Sequence, residues 1–434
     1  MRFICLLMGI SLAVSGCSSE PDAVASVDAG NTTDVANPQG DTEPAAPDGA
    51  STQQDSGLFG ETPADVHRAL LASLAEHVIV TTYTEFLAAS EALVTATAAY
   101  AANPGVEAQL GAREAFGDAM DLWQRAEVLQ VGPAGSMTAV LGGQDLRDEI
   151  YSWPSVNACR VDQEVVEKAY SNGVAFAGEL TNVRGLDAIE YLLYPPETGN
   201  GCKASSSINK NGDWEVLVES GQLEAQRAAY SATLSTLLAE EASALLDLWT
   251  QGDNSFSDAL ASAGDGSEVY ETAQDGLNAI SDAMFYLDKM TKDMKLAMPA
   301  GISGCEDDIC PGELESLHAH RSAANVAQNI IALQALFLGT YAIEPEVQAE
   351  VLGFDDLLIA MGAQALALDM IDKLAAARAV AVNVEAPYAE LLEDDPQKVV
   401  EVHAALKAFT DLMKTELVAT LDLSLPVSAA GDND

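Results

Sequence analysis

Apolar residues recur at positions i, i+3, i+4 and i+7 through most of the chain beyond residue 60. This spacing places them along one face of an α-helix, and the alternation typical of strands is nearly absent. The sequence therefore predicts an all-α protein. The predicted helical segments are 64–102, 105–130, 162–180, 184–194, 215–250, 266–296, 312–340, 355–383 and 394–422.

A stretch rich in Gly, Lys, Ser and Asn, residues 197–213, interrupts the helical pattern near the middle of the chain. Such composition is typical of a connecting loop. We therefore predict an N-terminal helical bundle at 61–205 and a C-terminal helical bundle at 206–434. Each is long enough to form an antiparallel bundle.

The first 17 residues have the pattern of a targeting segment. One early Arg2 precedes an apolar run, and the small residues Ser15 and Gly16 stand directly before Cys17. The tetrapeptide "VSGC" resembles the lipobox of a bacterial lipoprotein signal peptide, which implies cleavage before Cys17 and acylation of its thiol. Because Ser18 is not aspartate, the resemblance favours the outer membrane of a Gram-negative bacterium. An ordinary secretory signal is the alternative.

Residues 18–60 form an acidic segment without Lys or Arg and with one aromatic residue, Phe59. Such a segment cannot bury enough apolar surface to offset the entropy of ordering. We predict a disordered tether between the anchor and the helical part.

The chain is strongly acidic, with 67 Asp and Glu residues against 20 Lys and Arg residues and a net charge of −47. This charge repels nucleic acid and anionic lipid surfaces, so no nucleic-acid partner is expected. It favours cations as ligands. A surface that stays soluble in salty surroundings would explain much of the same charge.

Four cysteines remain after Cys5 and Cys17 are assigned to the signal and the anchor. In an exported protein an even set predicts disulfides, because the compartment is oxidising. The short spacing of Cys305 and Cys310 favours that pair, which leaves Cys159 with Cys202. A zinc cluster is the alternative, although the spacings differ from paired CxxC motifs.

The segment "RGLDAIEYLLY", residues 184–194, carries two acids one helical turn apart. Asp187, Glu190 and Tyr191 share one face of the predicted helix, opposite the leucine face. Tyrosines beside acids indicate a lined cavity. A half-exposed helix with an acidic face is the alternative.

A second unusual acid is Glu127, which follows Trp123 on the apolar stripe of segment 105–130. Burying a lone charge is costly. We therefore expect Glu127 either to reach water or to meet a ligand or a cation such as Arg184.

A polar seam is predicted along the helix at 312–340. It consists of small and polar residues, among them Glu315, His318, Ser322 and Asn325. The seam suits neither a solvated surface nor an apolar core, so we predict that it faces the acids of the first bundle. Surface histidines are the alternative for His318.

Four separated stretches resemble the imelysin-like family of bacterial exported proteins. They are "FGDAMDLWQRAEVLQVGP", "IYSWPSVNACRVD", "RGLDAIEYLLY" and "KDMKLAMPAGI", in the family's order, and the resemblance covers residues 64–425. It implies two helical bundles related by a pseudo-twofold axis, a GxHxxE motif near the cleft between them, and a link to iron-regulated uptake. Here that motif runs from Gly185 to Glu190, with Asp187 at the histidine position.

The residues and the resemblance together predict a lipid-anchored binding protein that captures a metal ion or a metal complex, with an uptake partner in the envelope. Iron is the first candidate, then calcium or manganese, because carboxylates prefer hard ions. The predicted metal ligands are Asp187, Glu190, Glu127 and His318. The other predicted cleft residues are Trp123, Arg184, Gly185, Tyr191, Glu315, Ser322 and Asn325.

Two other classes of function stay open. One is an interaction module without catalysis, which would bind a peptide, a saccharide or a partner lipoprotein. The other is a metallopeptidase, which the sequence disfavours because it contains five histidines and no HExxH motif.

Overall fold

A computed structural model of the chain describes residues 62–252, 254–341 and 351–426. All of them fall within one compact unit, residues 56–434. The predicted signal peptide, the lipidation site Cys17 and the tether at 18–60 lie outside the described residues.

The described part of the chain is helical and contains no strand, which confirms the all-α prediction. Three π-helical segments, 75–80, 287–297 and 413–417, adjoin α-helices. In chain order the α-helices are α1 (Pro63–Leu74), α2 (Thr81–Ala102), α3 (Val106–Val128), α4 (Leu146–Ile150), α5 (Ala158–Glu167), α6 (Gly173–Phe176), α7 (Gly185–Leu193), α8 (Ser207–Lys210), α9 (Asp213–Glu219), α10 (Leu223–Thr250), α11 (Phe256–Ala261), α12 (Ala273–Met284), α13 (Ser322–Leu338), α14 (Phe354–Ala360), α15 (Gln364–Val382), α16 (Tyr388–Asp394), α17 (Gln397–Leu412) and α18 (Val418–Thr420).

Local sequence explains where several helices begin. At α1, the Thr62 side chain accepts a hydrogen bond from the backbone N–H of Asp65, whose carboxylate accepts one from the Thr62 backbone N–H. Pro63 occupies the first turn, where its missing N–H costs nothing. The same reciprocal capping by Thr272 and Asp275 begins α12.

Several predicted helical segments are shorter or interrupted in the structure, and two of them show why. The segment predicted at 162–180 ends with α5 at Glu167, because Lys168 adopts a left-handed conformation with φ of 59°. The segment predicted at 312–340 begins within a short 3₁₀ helix, Pro311–Glu313, and becomes α-helical only at Ser322. The residues before it form turns, with φ of 51° at Ser316 and 55° at His320.

The long helices pack side by side around an apolar core. Helix α2 packs between α3 and α10, while α13 packs against both α3 and α15. Phe86 of α2 meets Trp123 of α3 with ring centroids 5.1 Å apart, and both side chains are buried. Because α10 packs on α2 and α7, contacts extend across the predicted boundary at 205/206. That boundary and the pseudo-twofold axis stay predictions.

Both predicted disulfides are present. Cys159 at the start of α5 is bonded to Cys202, 43 residues later, and Cys305 is bonded to Cys310. Within the ranges described, no helix has both the length and the apolar character needed to cross a bilayer.

Candidate functional site

Helix α7 is a short helix in which every residue is buried. Its first residue, Gly185, has φ of 79°, and a Cβ there would lie 2.7 Å from the carbonyl oxygen of Ile150. Only glycine combines this backbone conformation with so close an approach. Gly185 therefore sets α7 directly against the C-terminal end of α4.

Asp187 is buried one turn into α7, with 6% of its surface exposed. Its Oδ2 accepts a hydrogen bond of 2.9 Å from the Ser152 hydroxyl. Burial raises the pKa of Asp187 well above its ordinary value, and the nearby charge of Glu190 adds to the rise. The carboxyl of Asp187 therefore retains its proton more strongly than an exposed aspartate.

Glu190 joins α7 to the turn that precedes α13. Its Oε1 accepts hydrogen bonds from the backbone N–H groups of His318, at 2.9 Å, and Ala319, at 3.0 Å. Its Oε2 accepts one of 2.6 Å from the Ser316 hydroxyl. Burial raises the pKa of Glu190, while these three donors favour the ionised form and limit the rise. Glu190 thus holds the turn in place.

Asp187 and Glu190 open into one cavity of about 360 Å³, which we call the carboxyl pocket. The ring of Tyr191 lies edge-on to that of His318, with centroids 4.9 Å apart. Burial lowers the pKa of His318 and so favours its neutral form. The pocket is lined by Trp153, Pro154, Val156, Ala158, Asp187, Glu190, Tyr191, Met294, Met298, Gly312, Glu313, Leu314, Ser316, Leu317 and His318.

Tyr191 is fixed from behind by the disulfide-bonded loop. Its hydroxyl donates a 2.6 Å hydrogen bond to Oδ2 of Asp162 on α5. The same oxygen accepts one of 2.7 Å from the Gly201 backbone N–H, next to Cys202. The wall of the pocket is therefore tied to the Cys159–Cys202 bridge.

A buried ion-pair network lies beside the pocket and centres on Lys295. Its ammonium group lies 3.0 Å from Oε2 of Glu127 and 2.8 Å from Oε1 of Glu315. Arg147 contacts the other oxygen of Glu127 at 2.7 Å. Burial would raise the pKa of Glu127, but the charges of Lys295 and Arg147 lower it overall.

The network changes the interpretation of two predicted site residues. Glu127 is paired with two cations and does not line the carboxyl pocket, so the structure does not bring it together with Asp187 and Glu190. Glu127 therefore meets cations, which was one of the alternatives expected for it, but they are Lys295 and Arg147 rather than Arg184. Arg184 instead binds the Glu149 carboxylate and donates a 2.9 Å hydrogen bond to the Glu179 carbonyl oxygen.

The remaining predicted residues divide between the pocket and the core. His318 and Tyr191 line the pocket. The other four, Trp123, Glu315, Ser322 and Asn325, are buried and do not line it. The Ser322 hydroxyl donates to the Glu315 carbonyl oxygen and so closes the turn before α13. Their roles in binding stay predictions.

Sequence reasoning missed several residues that shape the site. Ser152 and Ser316 bond the two carboxyls, but single serines give no periodic signal. Lys295 did leave a signal. It stands between Met294 and Leu296 in a helical pattern, where a buried cation is the natural partner for a buried Glu127.

Asp187, Glu190 and His318 share the pocket, but they do not form a metal-binding cluster. Within the described ranges, no three or more His, Cys, Asp and Glu side chains are grouped closely enough to hold a metal ion. A bare ion would therefore obtain only part of its coordination from these residues.

Comparisons with known proteins identify the family of this chain. The family model described as "Peptidase_M75: Imelysin" matches residues 79–415. A comparison with curated proteins finds no match.

Two crystal structures resemble this fold over most of its length. One is described as a candidate iron-regulated protein A precursor from Parabacteroides distasonis, with a TM-score of 0.64, 14% identity, and coverage of 85% of this chain and 97% of that one. The other is an imelysin-like protein from Psychrobacter arcticum, with a TM-score of 0.62, 17% identity, and coverage of 84% and 98%. At these identities the likeness shows the fold.

Proposed function

Because the chain belongs to the imelysin family over residues 79–415, we propose that it is an exported binding protein that captures iron in the carboxyl pocket for uptake. The iron is held as a small complex, with part of its coordination supplied by a chelating molecule. The link to iron rests on the family resemblance and on the name of one structural relative. The mode of binding rests on the pocket.

One observation carries the proposal: the carboxyl pocket is lined by three acids, Asp187, Glu190 and Glu313, and by no Lys or Arg. Asp187 and Glu190 are buried, whereas Glu313 is exposed at the same cavity. Carboxyls that share a cavity repel one another when ionised. A cationic ligand removes this repulsion and stabilises the ionised forms. The pocket therefore favours a positively charged guest.

The donor set fits a complex better than a bare ion. Glu190 already accepts three hydrogen bonds, and no cluster of three metal-binding side chains is found in the described residues. The cavity of about 360 Å³ is in the range of small-molecule sites. Trp153, Met294 and Met298 offer apolar walls for the organic part of a chelate.

The lipid anchor completes the proposal. Acylation of Cys17 would hold the protein at the membrane, in the outer membrane of a Gram-negative bacterium, near an uptake partner in the envelope. Labelling cells with palmitate tests this step. Equal labelling of wild type and Cys17→Ser would contradict it.

Binding is tested by calorimetric titration and thermal unfolding of the full chain purified without chelators. The ligands are ferric iron with equimolar acetohydroxamate, which forms a small cationic complex, and calcium, manganese and zinc chlorides. We expect the iron complex to bind wild type. At a hundredfold excess over its Kd, it should stabilise the protein by about 2.7 kcal/mol. Asp187→Asn and Glu190→Gln should weaken binding about tenfold, as expected for loss of a charged contact.

The matched control is Glu215→Gln, which removes one exposed acid of α9. It should bind as wild type does. A melting temperature indifferent to every metal, or pocket variants that bind as tightly as wild type, would contradict the proposal. Binding of a peptide or a saccharide in place of metal would favour the interaction module, and cleavage of a peptide library would favour the peptidase.

A further inference from the structure

Two arginines from different helices bind the same helix, α13. Arg125 lies on α3 and Arg378 on α15, and α13 packs against both helices. Nε of Arg125 donates a 2.7 Å hydrogen bond to Oε1 of Gln328. Nη1 of Arg378 donates one of 2.7 Å to Oε1 of Gln334. Two glutamines of one helix thus hold two guanidinium groups from its neighbours.

Neither arginine has a carboxylate partner among the described residues. The ion pairs of the described chain, counted to 4.0 Å, include neither Arg125 nor Arg378. This is unexpected in a chain with 67 acids and 20 bases, where most described Lys and Arg residues are paired. Both side chains are half-buried, so their charges are only partly hydrated.

The two charges also act on each other. Burial lowers the pKa of Arg378, and the positive charge of Arg125 lowers it further. The guanidinium of Arg125 lies 5.5 Å from the ring centroid of Tyr341, which is a weaker compensation than a carboxylate. Two like charges that act on each other without an anion nearby destabilise the protein, and a bound anion would remove this cost.

The hydrogen-bonding groups of this cluster are mainly donors. Each glutamine uses its Oε1 to accept from an arginine, which leaves its Nε2 as a donor. No hydrogen bond from either Nε2 is found among the described residues. The Tyr341 hydroxyl is engaged by Thr82 at 2.5 Å. A ligand here must therefore supply acceptors.

We propose that Arg125, Arg378, Gln328 and Gln334, the arginine cluster, form a binding site for a small free oxyanion that carries phosphate or carboxylate groups. Guanidinium groups match the geometry of both through paired N–H···O bonds. The net charge of −47 repels extended polyanions and anionic membranes, so the ligand is a small molecule. The site is separate from the carboxyl pocket and does not depend on the proposed capture of iron.

The test is calorimetric titration of the full chain with inorganic phosphate and, separately, with malonate. Thermal unfolding in the presence of each anion is a second measurement, and the melting temperature in sodium chloride at the same ionic strength is its reference. We expect wild type to bind at least one of the two anions. Arg125→Gln and Arg378→Gln should each weaken binding about tenfold or more, because each loses a charge-assisted contact. Arg378→Lys keeps the positive charge but loses the planar guanidinium group. Its affinity for the anion should lie between those of the two glutamine variants and that of wild type.

Two variants serve as controls. Lys373→Gln removes one charge from the same helix α15 at a position paired with Asp369, and should bind as wild type does. Glu190→Gln should also bind the anion normally, which separates this site from the carboxyl pocket. The proposal is overturned if neither anion binds, or if both arginine variants bind as tightly as wild type. Arg378 is partly exposed, so its variants test the site even if Arg125→Gln fails to fold.

Discussion

At the scale of single residues, the most informative position is Asp187. It stands where the family resemblance places a histidine, and it is buried with a hydrogen bond from Ser152. A neutral carboxyl can donate and accept at once, whereas an ionised one can only accept. The residue therefore offers the pocket a group whose hydrogen bonding changes with its protonation.

This position predicts a particular dependence of stability on pH. The pKa of Asp187 is higher in the folded chain than its ordinary value of 3.8, so the folded state holds this proton more tightly. Its contribution to stability is complete below pH 3.8 and is lost as pH rises toward the folded pKa. In Asp187→Asn, which cannot ionise, the free energy of unfolding should fall less over this range than in wild type.

Urea unfolding of wild type and Asp187→Asn in a series of buffers from about pH 4 to pH 8 measures this effect. At each pH, the free energy of unfolding of the variant is subtracted from that of wild type. Glu215→Gln, an exposed acid, should follow the wild-type curve. Parallel curves for wild type and Asp187→Asn would show that burial does not perturb this carboxyl.

At the scale of elements, the site depends on how α7 meets the turn before α13. Glu190 of α7 bonds the backbone of that turn at His318 and Ala319. Glu315, in the same turn, is held by Lys295. The turn is thus fixed by Glu190 and by Glu315. Because it cannot move together with α7, a small shift of α7 should change the shape of the carboxyl pocket.

Gly185 tests the placement of α7. A Cβ at this residue meets the Ile150 carbonyl oxygen at 2.7 Å, and φ is 79°. Gly212 has the same φ of 79° but no atom within 4 Å of its Cβ position. Gly212→Ala should therefore cost only the strain of a left-handed residue, about 1–2 kcal/mol. Gly185→Ala should cost about 1–3 kcal/mol more, because the added methyl clashes.

Chemical denaturation of the two alanine variants measures this difference in stability. Titration with the iron complex shows whether binding in the carboxyl pocket is also weakened. Equal losses of stability in both variants would mean that the approach of α7 to Ile150 is not tight.

At the scale of the whole molecule, the two disulfides constrain the chain unequally. The Cys159–Cys202 bridge has a sequence separation of 43, and the Cys305–Cys310 bridge one of 5. Closing a longer loop removes more entropy from the unfolded chain. The longer bridge also supports the pocket, through Gly201 and Asp162.

We predict that replacing Cys159 and Cys202 together by alanine destabilises the protein by about 4 kcal/mol, against about 2 kcal/mol for Cys305 and Cys310. Unfolding of both double variants by guanidinium chloride compares the two losses. A larger loss from the short loop would contradict the loop-entropy explanation and point to local packing around Cys305.

The sequence by itself determined the helical class, the pairing of the cysteines and the composition of the α7 face. Helix periodicity is a local property, so it correctly placed Asp187, Glu190 and Tyr191 together on one side, and the pocket uses that side. The expectation of an oxidising compartment and the spacing of the cysteines sufficed to predict the disulfides, because few pairings were open.

Only the tertiary structure decided which charged side chains pair with one another and which part of the polar seam is α-helical. Glu127 pairs with Lys295, 168 residues away, and no local pattern records so distant a contact. The turn at Ser316 and His320 depends on left-handed backbone conformations, and the buried Glu190 carboxylate bonds the turn between them. The physical reason is that periodicity reports which side of a helix is buried, whereas the partner of a buried charge is set by the packing of distant segments.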